Sequence, residues 1–195
     1  MPGRHPGLRR VGAVRREMAV PTAFNLLGPL INPADPTYQV VGVADARMAP
    51  VIAEILAARG RSALVVRGQD GLDKLTTVTE SRIWVVHEGI ATPTLLDPRD
   101  LGISRVEPSA LGNVAADNAR VMHALLNGQR GPMRDVVLLN AAAALAATAP
   151  STTNLPEQLA AGIARCAKAI DTGAANATLR RWIAVTHDTA ATGRV

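Results

Sequence analysis

Apolar and polar positions change rhythm several times along the chain, and each change marks an element. Residues 38–44, Tyr-Gln-Val-Val-Gly-Val-Ala, have the length and β-branched content of a buried strand. Residues 48–59 carry apolar side chains at helical spacing, with Asp45 placed as an N-cap and Gly60 as the C-terminal stop. Residues 62–67 are a second strand, and their unbroken apolar run predicts burial on both faces. Residues 82–88 and 90–96 are a third and a fourth, with Glu88-Gly89 supplying the hairpin turn. From there the spacing is helical: 113–126, closed by Asn127-Gly128; 132–148, with Pro132 in its first turn; 156–170; and 174–185. The alanine tract at 141–147 predicts helices packed closely together. This order predicts an α/β fold, a sheet flanked by helices, in one domain spanning residues 1–195.

The two ends read differently. Residues 1–10 are rich in Pro, Gly and Arg and predict an irregular start, more like a chain cut into than the opening of a complete domain. Residues 11–20 fit a short helix stopped by Pro21. In residues 21–33 the side chains of Phe24, Leu26, Leu27, Leu30 and Ile31 ask for burial, while Gly28, Pro29 and Pro33 break the backbone beside Asn25 and Asn32. Local chemistry alone reads this as a buried helix end followed by a tight turn. The small polar tail from His187, residues 187–195, predicts fraying.

Composition narrows the function. Hydrophobic residues make up 48% of 195, enough for a real core. No apolar run approaches a membrane span, and no apolar segment follows the early arginines as a secretory signal would require. Cys166 is the one cysteine, which excludes an internal disulfide and fits an inert thiol. The cytoplasm is the simplest location. The net charge of +5 raises the question of nucleic acid. Aromatic residues are only 2% of the chain, so bases would find few stacking platforms. The arginine cluster in the first 16 residues suits an acidic small molecule or a phosphate equally well.

The best place for chemistry is the segment after the second strand, residues 68–77, Gly-Gln-Asp-Gly-Leu-Asp-Lys-Leu-Thr-Thr. Ligands of open α/β sheets bind beyond the carboxyl ends of strands. Asp70 and Asp73 offer hard oxygens of the kind Mg²⁺ takes. The same residues also fit a plain Asp-Gly turn with Asp73 as a cap. No His/Cys spacing supports zinc, and there is no nucleophile elbow or phosphate-binding P-loop. Asn140 is the one odd polar residue in an otherwise apolar helix.

Four segments carry a resemblance. Residues 24–33, Phe-Asn-Leu-Leu-Gly-Pro-Leu-Ile-Asn-Pro, resemble the signature of the anthranilate phosphoribosyltransferase family. Residues 5–17, 68–73 and 130–140 resemble three further family segments in the right order. The resemblance covers nearly the whole chain and roughly the C-terminal half of the family's protein. It implies the C-terminal part of the α/β domain of nucleoside phosphorylase/phosphoribosyltransferase type. It implies phosphoribosyl transfer from 5-phosphoribosyl 1-pyrophosphate to anthranilate in tryptophan biosynthesis, with Mg²⁺ as cofactor and small molecules as partners. By the resemblance, Arg15 falls on the arginine that binds the anthranilate carboxylate, as a guanidinium fork can. His5 belongs to a His-Pro that shapes the anthranilate region, and Asp73 is the first residue of an Asp-Glu pair that binds magnesium. No catalytic residue is implied within the chain.

Two positions depart from the family pattern: Lys74 stands where the pair has Glu, and Pro21 where Arg is common. The family's Gly-Thr-Gly-Gly-Asp and Lys-His-Gly-Asn sugar-phosphate motifs have no match in these residues. The helical N-terminal domain, which carries the family's homodimer contact, has none either. The expectation is therefore a partial chain, inactive in isolation. The alternatives are a divergent relative, non-catalytic or with another acceptor, and, further off, a basic nucleic-acid-binding protein.

Overall fold

The computed structural model describes residues 28–112 and 118–191. The apolar runs of the central chain form strands where expected. β1 (Tyr38–Gly42) leads through α1 (Met48–Ala58) to β2 (Ser62–Gly68), and the two strands pair in parallel. A parallel pair needs such a crossover, since no tight turn can join its ends. β3 (Ser81–His87) runs antiparallel to β2, and β4 (Ile90–Leu96) antiparallel to β3. Among the described residues the sheet is thus four-stranded, in the order β1-β2-β3-β4. The β3–β4 hairpin closes on the pair His87–Ile90, with Glu88 at φ 48 and Gly89 at φ 79. Positive φ at both turn positions matches the right-handed twist of the strands.

Side-chain alternation sends each central strand's residues to two layers. Leu64, Val66, Ile83 and Val85 meet Leu139, Ala142 and Ala143 of α3 (Pro132–Ala146) and Leu155 and Leu159 of α4 (Leu155–Asp171). Ala63, Val65, Trp84 and Val86 meet Ala49, Ile52, Ala53 and Leu56 of α1. The sheet flanked by helices is therefore as expected, and β2 is buried on both faces. The alanines of α3 do bring helices close: a Cβ added to Gly162 of α4 would lie 2.8 Å from the Ala142 methyl.

Some boundaries shift. α1 starts at Met48 as expected, but its N-cap is Arg47 and not Asp45; Asp45 instead closes the preceding turn, accepting the Arg47 N–H at 2.9 Å. Of the helix expected over 113–126, α2 spans Asn118–Leu126, and residues 113–117 lie outside the described residues. The last helix, α5 (Ala174–Ala191), runs past both the expected end at residue 185 and the expected fraying point at His187. No Pro or Gly interrupts the chain there before Gly193, so nothing in the sequence stops the helix earlier. The irregular start expected for residues 1–10 and the helix expected for 11–20 lie outside the described residues. No helix among the described residues is long and apolar enough to cross a membrane. Cys166 is half-buried, and burial pushes its thiol pKa up, away from reactivity.

Beyond β4, Asp97 caps a 3-10 turn (Pro98–Leu101) and binds two arginines. Its carboxylate accepts the Arg99 N–H at 3.0 Å and lies 2.6 Å from Arg99 Nη2 and 2.8 Å from Arg105 Nη2. The Arg99 side chain, then its backbone N–H and Arg105, hold Asp97 well below the usual carboxylate range. A carboxylate depressed on folding stabilises the fold fully above its unfolded pKa of about 4 and loses that contribution as pH falls through the folded value. Asp97→Asn is therefore expected to melt lower than the parent at neutral pH, with the gap closing in strong acid. Parallel thermal melts across the acid range would show a constant gap if the pairing were irrelevant.

Candidate functional site

The carboxyl ends of β1 and β2 lie side by side, and the long β2–β3 connection folds over them. Its first turn is tight: Gly68 donates its N–H to the Leu72 carbonyl at 2.9 Å, and Gly71, at φ 91, donates to the Gly68 carbonyl at 3.0 Å. Asp70 braces this turn. Its Oδ1 accepts the Leu72 N–H at 3.2 Å and its Oδ2 accepts the hydroxyl of buried Thr76 at 2.7 Å. Both oxygens are thus engaged inside the loop, and the reading of Asp70 as a metal ligand gives way to that of a turn residue. The reason is local: an aspartate two residues ahead of a free N–H closes an Asx turn.

The next residues lie directly on the sheet edge. Gly42, the last residue of β1, has no side chain because the Asp73 carbonyl occupies that space; a Cβ there would sit 1.7 Å from the oxygen. Two other contacts hold the edge together. Arg67 reaches from β2 to the Ala44 carbonyl at 2.8 Å. Asn140 reaches from α3 to Leu75, accepting its N–H at 3.0 Å and donating to its carbonyl at 2.8 Å, with a further bond to the Val136 carbonyl at 2.9 Å. The odd polar residue of α3 is therefore the anchor of the loop. Its polarity in an apolar helix was the available signal; Arg67 and Gly42 gave none, because an arginine at a strand end and a glycine in a strand are both ordinary.

Asp73 projects from this anchored backbone and is largely exposed, with Lys74 Nζ 3.2 Å from its Oδ1. Among the described residues no three His, Cys, Asp or Glu side chains gather as a metal site would need. One carboxylate already paired to an ammonium does not amount to a magnesium site, so these residues by themselves do not fit the ion. Arg15 and His5 lie outside the described residues, as do residues 24–27 of the signature stretch. The remainder of that stretch begins with a 3-10 turn, Gly28–Ile31, and the Leu30 carbonyl accepts a bond from Arg59 at 2.5 Å.

Residues 1–176 match the model of the glycosyl transferase family, a/b domain. The anthranilate phosphoribosyltransferase of Streptomyces avermitilis is 55% identical over 184 residues, which are 94% of this chain and 52% of that protein. That of Salinispora arenicola is 54% identical over the same shares. Among solved structures, anthranilate phosphoribosyltransferase from Thermus thermophilus superposes with a TM-score of 0.79 at 36% identity, covering 92% of this chain and 52% of its own. The Saccharomyces cerevisiae enzyme in complex with PRPP and Mg gives 0.75 at 25% identity, covering 90% of this chain and 49% of its own. The chain spans about half the length of the curated relatives it matches. An α/β sheet with an anchored loop over its carboxyl edge, and a family match across residues 1–176, lead to one conclusion: the chain belongs to the glycosyl transferase family, a/b domain, and its similarity within it is to the anthranilate phosphoribosyltransferases.

Proposed function

We propose that this chain is the acceptor-side half of an anthranilate phosphoribosyltransferase, whose whole transfers a phosphoribosyl group from 5-phosphoribosyl 1-pyrophosphate to the anthranilate amine and releases pyrophosphate. The observation that carries this reading is the 55% identity across 94% of the chain, which runs through the candidate loop. Arg15 pairs bidentately with the anthranilate carboxylate, and His5 shapes the pocket wall beside it. Transfer of this kind rests on holding the amine in line with the sugar carbon as charge develops there. This chain's share is to orient the acceptor. The sugar-phosphate motifs have no match in its residues, so the chain alone is expected to bind anthranilate without turning it over.

Charge-assisted hydrogen bonds contribute about 1.5–3 kcal/mol each. Arg15→Ala is therefore expected to weaken anthranilate binding roughly tenfold or more, read from the ligand's own fluorescence. Unchanged binding would transfer support to the different-acceptor relative. Product formed by the chain alone from both substrates would overturn the division of labour.

Among the described residues Asp73 is the one that the resemblance assigns to magnesium, and we place no reaction step on the ion. Magnesium is usually held by one or two carboxylates together with substrate phosphates, and here Lys74 competes for the one available. Replacing a cation by a carboxylate beside a divalent ion is worth ~4 kcal/mol at 4 Å in bulk water. Salt screening and the mobility of an exposed side chain cut this to about 1–2 kcal/mol. Lys74→Glu should thus bind Mg²⁺ about tenfold more tightly than the parent by calorimetric titration. Equal affinities would mean that Lys74 does not govern this loop.

A further inference from the structure

The 18-residue helix α5 leaves the body of the fold before it ends. Its start is held. Ala175 packs against the cluster of Leu125, Leu138 and Ile170, and Leu179 is half-buried. Asn176 donates its side-chain N–H to Asn127 Oδ1, just past the end of α2, at 2.7 Å. From Arg180 to His187 every residue is exposed. The side of the helix that faces the body does not turn polar where the body stops. Trp182 and Ile183 follow Leu179 by three and four residues, which puts them on the same side of the helix. Trp182 is 67% exposed and Ile183 41%. The stripe that seats α5 on its neighbours therefore runs on, apolar, past their edge. Ala184 stands on the opposite side of the helix.

We propose that Trp182 and Ile183 seat an apolar surface of the other half of the transferase, so that α5 clamps the two halves together. The inference rests on the reading of this chain as one half of that enzyme. Continuity favours this occupant: the exposed stripe prolongs a contact already made by Ala175 and Leu179, and what covers it must prolong the body at the same edge. Length agrees, because the chain covers 52% of the Streptomyces avermitilis relative and nearly as much of that protein again lies outside the match. Size argues against a second copy of the chain. Eight helical residues span about 12 Å, so one face offers on the order of 200 Å², against the ~800 Å² each partner buries in a stable interface. A half joined through the chain needs no such area, because the linkage supplies a high effective concentration. Docking also supports the exposed turns, which as a free helix would be marginal in water.

The chain has two tryptophans, and Trp84 is buried. Trp84→Phe therefore leaves Trp182 as the sole reporter. The probe is the part of the Streptomyces avermitilis relative that precedes the matched stretch, titrated into the 195-residue chain. Trp182 emission is expected to start at the wavelength of a solvated indole, to shift to the blue with saturation, and to become shielded from iodide quenching. Ile183→Glu should weaken the association at least tenfold, whereas Ala184→Glu, the same charge on the opposite side of the helix, should leave it as in the parent. Both positions are exposed, so neither variant disturbs the core. Association that Ile183→Glu leaves unchanged would overturn the clamp and keep the transferase reading. Absence of any association would overturn both. A blue shift of the chain alone that grows with its concentration would assign the stripe to a second copy and overturn the proposal.

Discussion

Gly42→Ala is expected to dislodge the loop over the sheet edge and to cost the fold about 3 kcal/mol, the upper part of the range for overpacking. The added carbon would stand 1.7 Å from the Asp73 carbonyl oxygen and 2.6 Å from its carbon. These are backbone atoms, so no rotamer change can clear the space. Either the end of β1 or the loop must move, and β1 is held by its parallel ladder to β2 from Tyr38–Ser62 to Gly42–Val66. The loop is the part that yields, and Asp73 with it. Hydrogen exchange across residues 68–77 should rise well above the parent's, with a melting temperature lower by roughly 6–12 °C for a chain of this size. Gly28→Ala, where the new carbon meets nothing within 4 Å among the described residues, is the control. Unchanged exchange in Gly42→Ala would show that the loop does not rest on this residue.

Asn140→Ala acts on the same loop from the helix side. Asn140 satisfies both the N–H and the carbonyl of Leu75, whose side chain is fully buried. Truncation leaves both backbone groups without a partner, at about 1–3 kcal/mol for each buried group. A loss of ~3 kcal/mol is a large share of the roughly 5–15 kcal/mol that holds a typical domain together. Asn140→Asp separates the two bonds: it keeps an acceptor for the Leu75 N–H but cannot donate to the carbonyls of Leu75 and Val136. Its melting temperature should fall, as that of Asn140→Ala does. A melting temperature for Asn140→Ala equal to the parent's would mean that water replaces the amide at little cost.

These two residues show how unevenly the site could be read in advance. Asn140 stood out because a polar side chain in an apolar helix asks for a partner, although nothing in the sequence said which. Gly42 did not stand out, because a glycine in a strand is unremarkable until another backbone lies against it. Asp70 and Asp73 looked alike in sequence, and their roles separated only once Asp70 was seen bonded to Leu72 and Thr76. Lys74 was visible as a departure from the family pattern, and its ion pair with Asp73 is what a cation beside a carboxylate would be expected to form.

What the sequence determined by itself was local. Runs of β-branched residues, helical spacing and the glycine stops set four strands and the helices after them, because backbone conformation follows from steric preferences within a few residues. The family segments were equally readable, since a motif is a local string. What only the tertiary structure decided was which distant residues meet. Asn140 finds Leu75, the Asp73 carbonyl fills the space above Gly42, and Arg134 reaches Asp171 from the next helix. Such contacts depend on how helices and sheet pack in three dimensions. Periodicity along the chain records which face of an element is apolar, and it carries no record of which surface that face will meet.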